Sequence, residues 1–280
     1  MINIAVLITC FNRKQKTLVC LEKLYAQYGF NKSYHVHTYL LDDASIDGTS
    51  YAVKELFPDV NISIGNGNLF WNRGMHLAWK EACNIGIYDF FLWLNDDTEL
   101  KLSAIETLIY SSKKFFNNAI IVGATGSKFD SRKITYGGRM KNGSLIYPSE
   151  RAQLCDHFNG NIVLVPKNVF NVLGTNDPKF HHSLGDFDYG LRAKKMGFDI
   201  YLAPGILGFC ETHESLPIWC DPKKRFFQRW KSFRTPLGHN PEEYFYFELR
   251  HKGIFWAVFH YFTNHLRLIY PSLWLKKKYN

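Results

Sequence analysis

Three groups of carboxylates carry the chemistry open to this sequence. Asp42-Asp43 is followed by Ser45 and Asp47-Gly48-Thr49, an order that reads as a strand end, a turn and a helix start. Asp, Ser and Asp-Gly are good turn and cap residues, so this group serves either the backbone or a ligand. Asp96-Asp97 comes directly after the apolar run YDFFLWL and Asn95. Two adjacent carboxylates at a buried strand end repel each other, and a divalent cation relieves the repulsion. Mg²⁺ typically takes one or two carboxylates and completes its shell with waters and phosphate oxygens. The third group, Asp186 and Asp188, opens GDFDYGLRAKK. A helix N-terminus favours negative charge, so capping is the plain alternative there. A Ser/His/Asp or Cys/His pattern that would signal a covalent nucleophile is absent from the sequence.

These acids fall where secondary-structure elements meet. Ile4 to Ile8 reads as an apolar strand leading into the polar turn Thr9 to Arg13. Residues 15 to 28 follow with helical spacing, Leu18, Leu21, Leu24 and Tyr25 forming one face. Strands are predicted over His35–Leu41, Asn61–Ile64, Tyr88–Leu94 and Ala119–Thr125, and helices over 49–57, Met75–Asn84 and Ser103–Phe116. Such alternation predicts an α/β fold, a mostly parallel sheet with helices on both faces. Sheets of this kind bind ligands beyond the carboxyl ends of their strands. The polar clusters Thr9–Arg13, Asp42–Thr49 and Asn95–Thr98 lie at those ends. From Lys128 to Glu150 short strands and Gly-rich turns suggest a hairpin insertion. Asn161–Val165 is again strand-like, Phe187–Met196 helical, and Asp199–Ala203 a strand closed by a Pro-Gly turn.

The chain has 280 residues, 46% hydrophobic and 21% charged, which excludes disorder, collagen-like structure and a disulfide scaffold as global descriptions. Its net charge of +9 is unevenly placed. From Lys223 onward twelve Lys and Arg face three Asp and Glu, while the first 222 residues hold 22 of each sign. The same tail carries 16 of the 46 aromatic residues. A neutral body over 1–222 and a basic, aromatic helical extension over 223–280 follow, with helices at 242–250 and 254–270. Such a tail suits an anionic membrane surface, packing against the body or, least well, nucleic acid. The six cysteines, at 10, 20, 83, 155, 210 and 220, have no CxxC spacing and read as reduced thiols of a cytoplasmic protein. MINIAVLITCF lacks the positive start of a signal peptide, and no apolar run is long enough to span a bilayer.

Six segments, in order, carry a family resemblance: ITCFNRKQKTLVCLEKL, YLLDDASIDGT, GNGNLFWNRGMHLAWKEA, FFLWLNDDTEL, FNGNIVLVPKNVF and GDFDYGLRAKKMGFDIYLAPG. Together they resemble the family 2 glycosyltransferases of GT-A (Rossmann-like) fold, and within them bacterial enzymes of O-antigen and capsular polysaccharide synthesis. The resemblance implies that Thr9 and Asn12 line a nucleotide pocket, that Asp42 accepts a hydrogen bond from the base with Asp43 nearby, and that Gly67 and Asn68 border the nucleotide and sugar. Asn95-Asp96-Asp97 stands where the family carries Asp-x-Asp. Asn95 replaces the first acid there, Asn95 and Asp96 would border the nucleotide, and Asp97 keeps the position that binds Mg²⁺ or Mn²⁺. Trp71, Asn159 and Gly160 would face the donor sugar or the acceptor. Asp186 matches the acid of the family's Glu-Asp motif, whose carboxylate is the catalytic base; Gly185 replaces the preceding Glu. His213 falls near a third metal-ligand position. The resemblance implies an inverting transfer from a UDP- or dTDP-linked sugar to a growing saccharide linked to undecaprenyl diphosphate, by an enzyme peripheral to the cytoplasmic face of the inner membrane. Two rivals are a sugar-phosphate nucleotidyltransferase, whose Gly-rich basic loop ITCFNRKQ lacks, and a basic nucleic-acid-binding protein, for which the body should be basic rather than neutral.

Overall fold

The computed structural model describes residues 1–212 and 216–275. His213 therefore lies outside the described residues. The chain forms two compact units, one comprising residues 1–178 and 185–212, the other residues 179–184 and 213–280.

The first unit follows the predicted alternation. Its elements are β1 (Ile2–Cys10), α1 (Lys14–Tyr25), β2 (Tyr34–Asp42), α2 (Thr49–Leu56), β3 (Asn61–Ile64), α3 (Phe70–Ile85), β4 (Phe90–Leu94), β5 (Glu99–Leu100), α4 (Ala104–Lys114) and β6 (Ala119–Gly126). Then come β7 (Ile134–Tyr136), β8 (Gly138–Arg139), β9 (Gln153–Leu154), β10 (His157–Phe158), β11 (Ile162–Pro166), α5 (Lys167–Leu173), α6 (Gly185–Lys195) and β12 (Asp199–Phe209). The sheet runs in the order β3-β2-β1-β4-β11-β6-β12-β5. Strands β3, β2, β1 and β4 are parallel, β11 is antiparallel to both neighbours, and β6–β12 is parallel again.

Both faces of this sheet are covered, which explains the near-continuous apolar runs in β1, β4 and β11. Successive side chains of a strand point to opposite faces. Ile4, Val6 and Ile8 accordingly pack with Leu21 and Leu24 of α1 and Leu108 of α4. Ala5 and Leu7 pack on the other side with Met75 and Trp79 of α3 and Tyr189 of α6. Trp79 lies 5.6 Å from Trp93 and 5.6 Å from Tyr189 between ring centroids, and Trp93 continues to Trp71 at 5.8 Å. The core thus reaches the strand ends as a file of aromatic rings.

Three local expectations shift. Helix α3 begins at Phe70, five residues before the predicted start, because Gly74 inside it lets the backbone press onto β1: a Cβ there would lie 2.3 Å from Thr9 Oγ1. Strand β12 passes through Pro204-Gly205 to Phe209, absorbing them in a register shift between Leu202 and Ile206. The insertion at 128–150 pairs mostly beyond itself: β7 lies antiparallel to β6 and β8 to β10, and one antiparallel bridge, Arg139 to Leu145, closes inside it.

The second unit is helical: a 3₁₀ turn (Ile218–Cys220), then α7 (Phe226–Phe233), α8 (Pro241–Lys252), α9 (Ile254–Ile269) and α10 (Ser272–Leu275). Asn240 caps α8 by accepting the Glu242 and Glu243 N–H groups at 3.1 and 3.3 Å, with Pro241 in the first turn. Gly253, at φ 91°, makes the corner between α8 and α9. Trp219, Cys220, Phe233 and Leu268 form a small core, and Arg229 of α7 donates to the Leu268 and Ile269 carbonyls at the end of α9. His181 joins this unit through two bonds to the Glu243 carboxylate.

Candidate active site

The carboxyl ends of β1, β2 and β4 converge on one rim, and the loops there are laced together. Asn12, at φ 51°, donates its N–H to Ser45 Oγ at 2.8 Å, and its Oδ1 accepts the Ile46 N–H at 2.8 Å. Asp42 is buried and accepts from the Ser45 N–H at 2.8 Å and from the Ser50 hydroxyl. Asp43 is buried too; one oxygen accepts the Gly67 N–H at 2.8 Å, the other those of Leu69 and Phe70 at 2.8 and 3.0 Å. Asp43 thereby holds Gly67 (φ 82°) and Phe70 (φ 56°) in left-handed backbone conformations, which persist only where their surroundings fix them. Thr9 is buried against Gly74, and Asn68 is exposed, with its N–H bonded to Asn66 Oδ1 at 3.0 Å. The carboxylates of Asp42 and Asp43 thus brace the rim itself.

Beside this rim lies a second group. The indole N–H of Trp71 donates to Asn95 Oδ1 at 2.8 Å. Gly160 sits against the same ring: a Cβ there would lie 2.6 Å from it. The Gly160 N–H donates to Asp186 Oδ2 at 3.0 Å, and the Phe187 N–H to Asp186 Oδ1 at 2.9 Å. Asn159 Oδ1 accepts from Arg139 Nε at 2.8 Å. Burial pushes the Asp186 carboxyl up to about 6, against the two N–H donors and the Arg139 charge that favour its ionised form. Trp71, Asn95, Asn159, Gly160 and Asp186, dispersed over more than a hundred residues, are one constellation. Gly185 is part of its construction. A Cβ at this position would lie 1.8 Å from Asn72 Oδ1, and Asn72 is buried and held by Asp177 and Asn176. A glutamate has no room there.

The third group surrounds the acidic pair. Arg13 Nη1 lies 3.1 Å from Asp96 Oδ1 and 3.0 Å from Asp97 Oδ2. Lys16 Nζ stands 3.8 Å from Asp97 Oδ2, and the Cys210 thiol donates to Asp97 Oδ1 at 3.4 Å. Burial pushes Asp96 up to about 7, with Arg13 opposing and Asp97 adding to the rise. Asp96 Oδ2 is buried without a hydrogen-bond partner. Two hard carboxylates with an unsatisfied oxygen fit a divalent cation whose remaining ligands come from phosphate and water. Among the described residues no group of three or more His, Cys, Asp or Glu is placed to hold a metal by itself. Arg13 and Arg139 escape a search for acids and motifs. The signal for Arg13 is its place in the polar turn after β1, the strand next to β4, which ends at Leu94 just before Asn95.

The sequence matches the family described as Glycosyl transferase family 2 over residues 5–171. Solved structures of similar fold include a mannosyltransferase, PcManGT from Pyrobaculum calidifontis, in complex with GDP-Man and Mn²⁺, at 15% identity and TM-score 0.55, covering 96% of this chain and 73% of that one. They also include S. aureus TarS 1–349 with UDP-GlcNAc, at 12% identity and TM-score 0.54, covering 98% and 88%. The chain spans 60% of a second TarS 1–349 structure and 43% of a structure of TarS. At these identities the likeness establishes the fold. No curated protein sequence matches the chain significantly.

Proposed function

Because the chain belongs to glycosyl transferase family 2, we propose that it moves a sugar from a nucleoside-diphosphate donor to a saccharide acceptor in one displacement that inverts the anomeric carbon. The observation that carries this reading is the constellation around Asp186. Its carboxylate sits at a strand-end rim beside a tryptophan ring and a side-chain amide, held by two backbone N–H groups that leave each oxygen a free lone pair. With its carboxyl at about 6 it is ionised at neutral pH and basic enough to take the proton of an attacking sugar hydroxyl. Trp71 offers an apolar face to a pyranose ring, Gly160 lets that ring lie close, and Asn95 and Asn159 supply polar contacts. Thr9, Asn12, Asp42, Asp43, Gly67 and Asn68 shape the nucleotide side, Asp42 and Asp43 acting by fixing the loops as well as by facing the base. Asp96 and Asp97 would hold Mg²⁺ or Mn²⁺ together with the donor diphosphate. That cation supplies charge stabilisation for the departing nucleoside diphosphate.

The relatives bind UDP-GlcNAc in one case and GDP-Man with Mn²⁺ in another, which supports a sugar nucleotide and a metal here. We assign a UDP- or dTDP-linked hexose or deoxyhexose as donor, and as acceptor a bacterial surface saccharide, of O-antigen type, growing on undecaprenyl diphosphate. The basic, apolar second unit supports work at the cytoplasmic face of the inner membrane. A panel of nucleotide sugars, scored by thermal stabilisation and slow donor hydrolysis with Mn²⁺ present, tests the function. One or two members should raise the melting temperature and be hydrolysed, and Asp186→Asn should keep the stabilisation. A chain that no sugar nucleotide stabilises and that hydrolyses none would refute the proposal.

A further inference from the structure

Arg13 bridges the acidic pair through a single nitrogen. Nη1 contacts one oxygen of Asp96 and one of Asp97 at nearly equal distances, while Nε and Nη2 make no hydrogen bond among the described residues. The Arg13 backbone is fixed, since its carbonyl accepts from the Thr17 N–H and hydroxyl in the first turn of α1. Its side chain is 40% exposed, whereas those of Asp96 and Asp97 are 7% and 12% exposed. The anionic half of the contact is therefore enclosed by the fold, and the cationic half reaches it from the more exposed side. Two carboxylates this little exposed would be costly without a counter-charge, and Arg13, which touches both, offsets that cost, with Lys16 at 3.8 Å from Asp97 alone. A divalent cation held by the two carboxylates, Asp96 Oδ2 included, would bring its charge to the place where Nη1 now lies and so compete with it. A guanidinium released there meets the one other anion the reaction brings to this rim, a diphosphate, for which its flat array of donors is well suited.

We propose that Arg13 is a displaceable internal counter-ion: it neutralises Asp96 and Asp97 in the free protein and yields its bridging place to the divalent cation, passing to the donor diphosphate. This rests on the glycosyltransferase reading above. It makes metal and diphosphate binding mutually supportive, since each removes an obstacle to the other. Metal alone must compete with Arg13 and binds weakly.

The experiment is a Mn²⁺ titration without nucleotide, followed by electron paramagnetic resonance, on the full chain and on Arg13→Gln. The variant should bind Mn²⁺ at least tenfold more tightly. Its melting temperature should be lower than that of the parent in chelator and should recover with Mn²⁺, while the parent responds little. Arg13→Lys, which keeps a mobile charge, should lie between the two, and Arg13→Gln with Asp97→Asn should lose the tight site. Equal affinities within twofold, or weaker binding in Arg13→Gln, overturn the inference and leave the glycosyltransferase reading intact. If neither protein binds Mn²⁺ even with a stabilising sugar nucleotide present, the metal assignment fails along with it.

Discussion

The Asp186 carboxyl is set by a balance between burial, which raises its pKa, and two backbone N–H donors, which lower it. A carboxyl raised to about 6 is penalised when ionised, and that penalty has a measurable signature besides turnover. The folded state binds the proton more tightly than the unfolded chain, whose Asp titrates near 3.9. Its contribution to stability is therefore fully present below about 3.9 and is lost as pH rises through about 6. Asp186→Asn should lower kcat by roughly 10²–10⁴-fold at pH 8, the usual size of a lost general base. It should also gain about 1 kcal/mol of stability relative to the parent between pH 5 and pH 8, measured by urea unfolding. A variant with near-normal turnover would remove Asp186 from the mechanism. Unchanged relative stability across that range would remove the raised carboxyl. The parent's kcat/KM should fall with protonation as the medium drops below about pH 6, because only the ionised form accepts a proton. Trp71 is tested separately. Trp71→Phe keeps an aromatic face and deletes the N–H bonded to Asn95 Oδ1. That exchange should raise KM for the donor or acceptor several-fold while leaving kcat within about tenfold, read from steady-state kinetics.

The elements place these residues through close approach. Helix α3 can carry Trp71 to the rim only because Gly74 lies against Thr9 of β1. On an exposed helix, Gly→Ala would stabilise by about 0.5–1 kcal/mol. At Gly74 the sign should reverse. A methyl group 2.3 Å from Thr9 Oγ1 and 3.0 Å from Leu41 Cδ2 should cost about 1–3 kcal/mol through overpacking, seen as a lower urea midpoint. A stabilised Gly74→Ala would show that α3 has slack at its start. The same contact explains what could and could not be read from residues alone. Apolar runs such as IAVLI and FFLWL announce buried parallel strands, and the acids that follow such strands stand at their carboxyl ends. The start of α3 is hidden because Gly74, directly before the predicted start, disfavours a helix until β1 is packed beneath it. Helix α5 follows β11 without a loop, so VPKNVFNVL gives no break to detect. Asp42 and Asp43 stood out as acids, but their N–H partners at 45, 67, 69 and 70 emerge only once the loops fold back. Arg13 lies 83 residues from Asp96, and only the adjacency of β1 and β4 joins them. Residues 179–184 belong with the second unit through His181 and Glu243, a link with no compositional mark.

At the scale of the whole molecule, the second unit keeps an inverted helix. In α9, Ala257 and Leu268 are fully buried, while Ile254, Phe255, Val258, Phe259, Phe262, Leu266 and Ile269 are exposed. At 3.6 residues per turn those seven fall within an arc of about 140° that holds no Asp, Glu, Lys or Arg. An exposed apolar patch of this size marks a surface meant to be covered. The helix has 16 residues and is about 24 Å long, and no described helix is long and apolar enough to cross a membrane. Arg229 ties α7 to the end of α9, and α7 adds exposed Phe226, Phe227 and Trp230 beside exposed Lys223, Lys224 and Lys231. An apolar face flanked by cations and aromatic rings suits the headgroup level of an anionic bilayer, where each Lys or Arg contributes about 1 kcal/mol. Full-length protein should therefore co-sediment with anionic vesicles at low salt, release only partly at high salt and bind neutral vesicles less. Phe255→Glu with Phe262→Glu alters only exposed positions, so the fold and donor binding should persist while vesicle binding drops at least tenfold. Protein that ignores anionic vesicles at low salt would exclude the bilayer as the cover. If sedimentation then shows a dimer that the double variant abolishes, the arc is covered by a second copy of the chain.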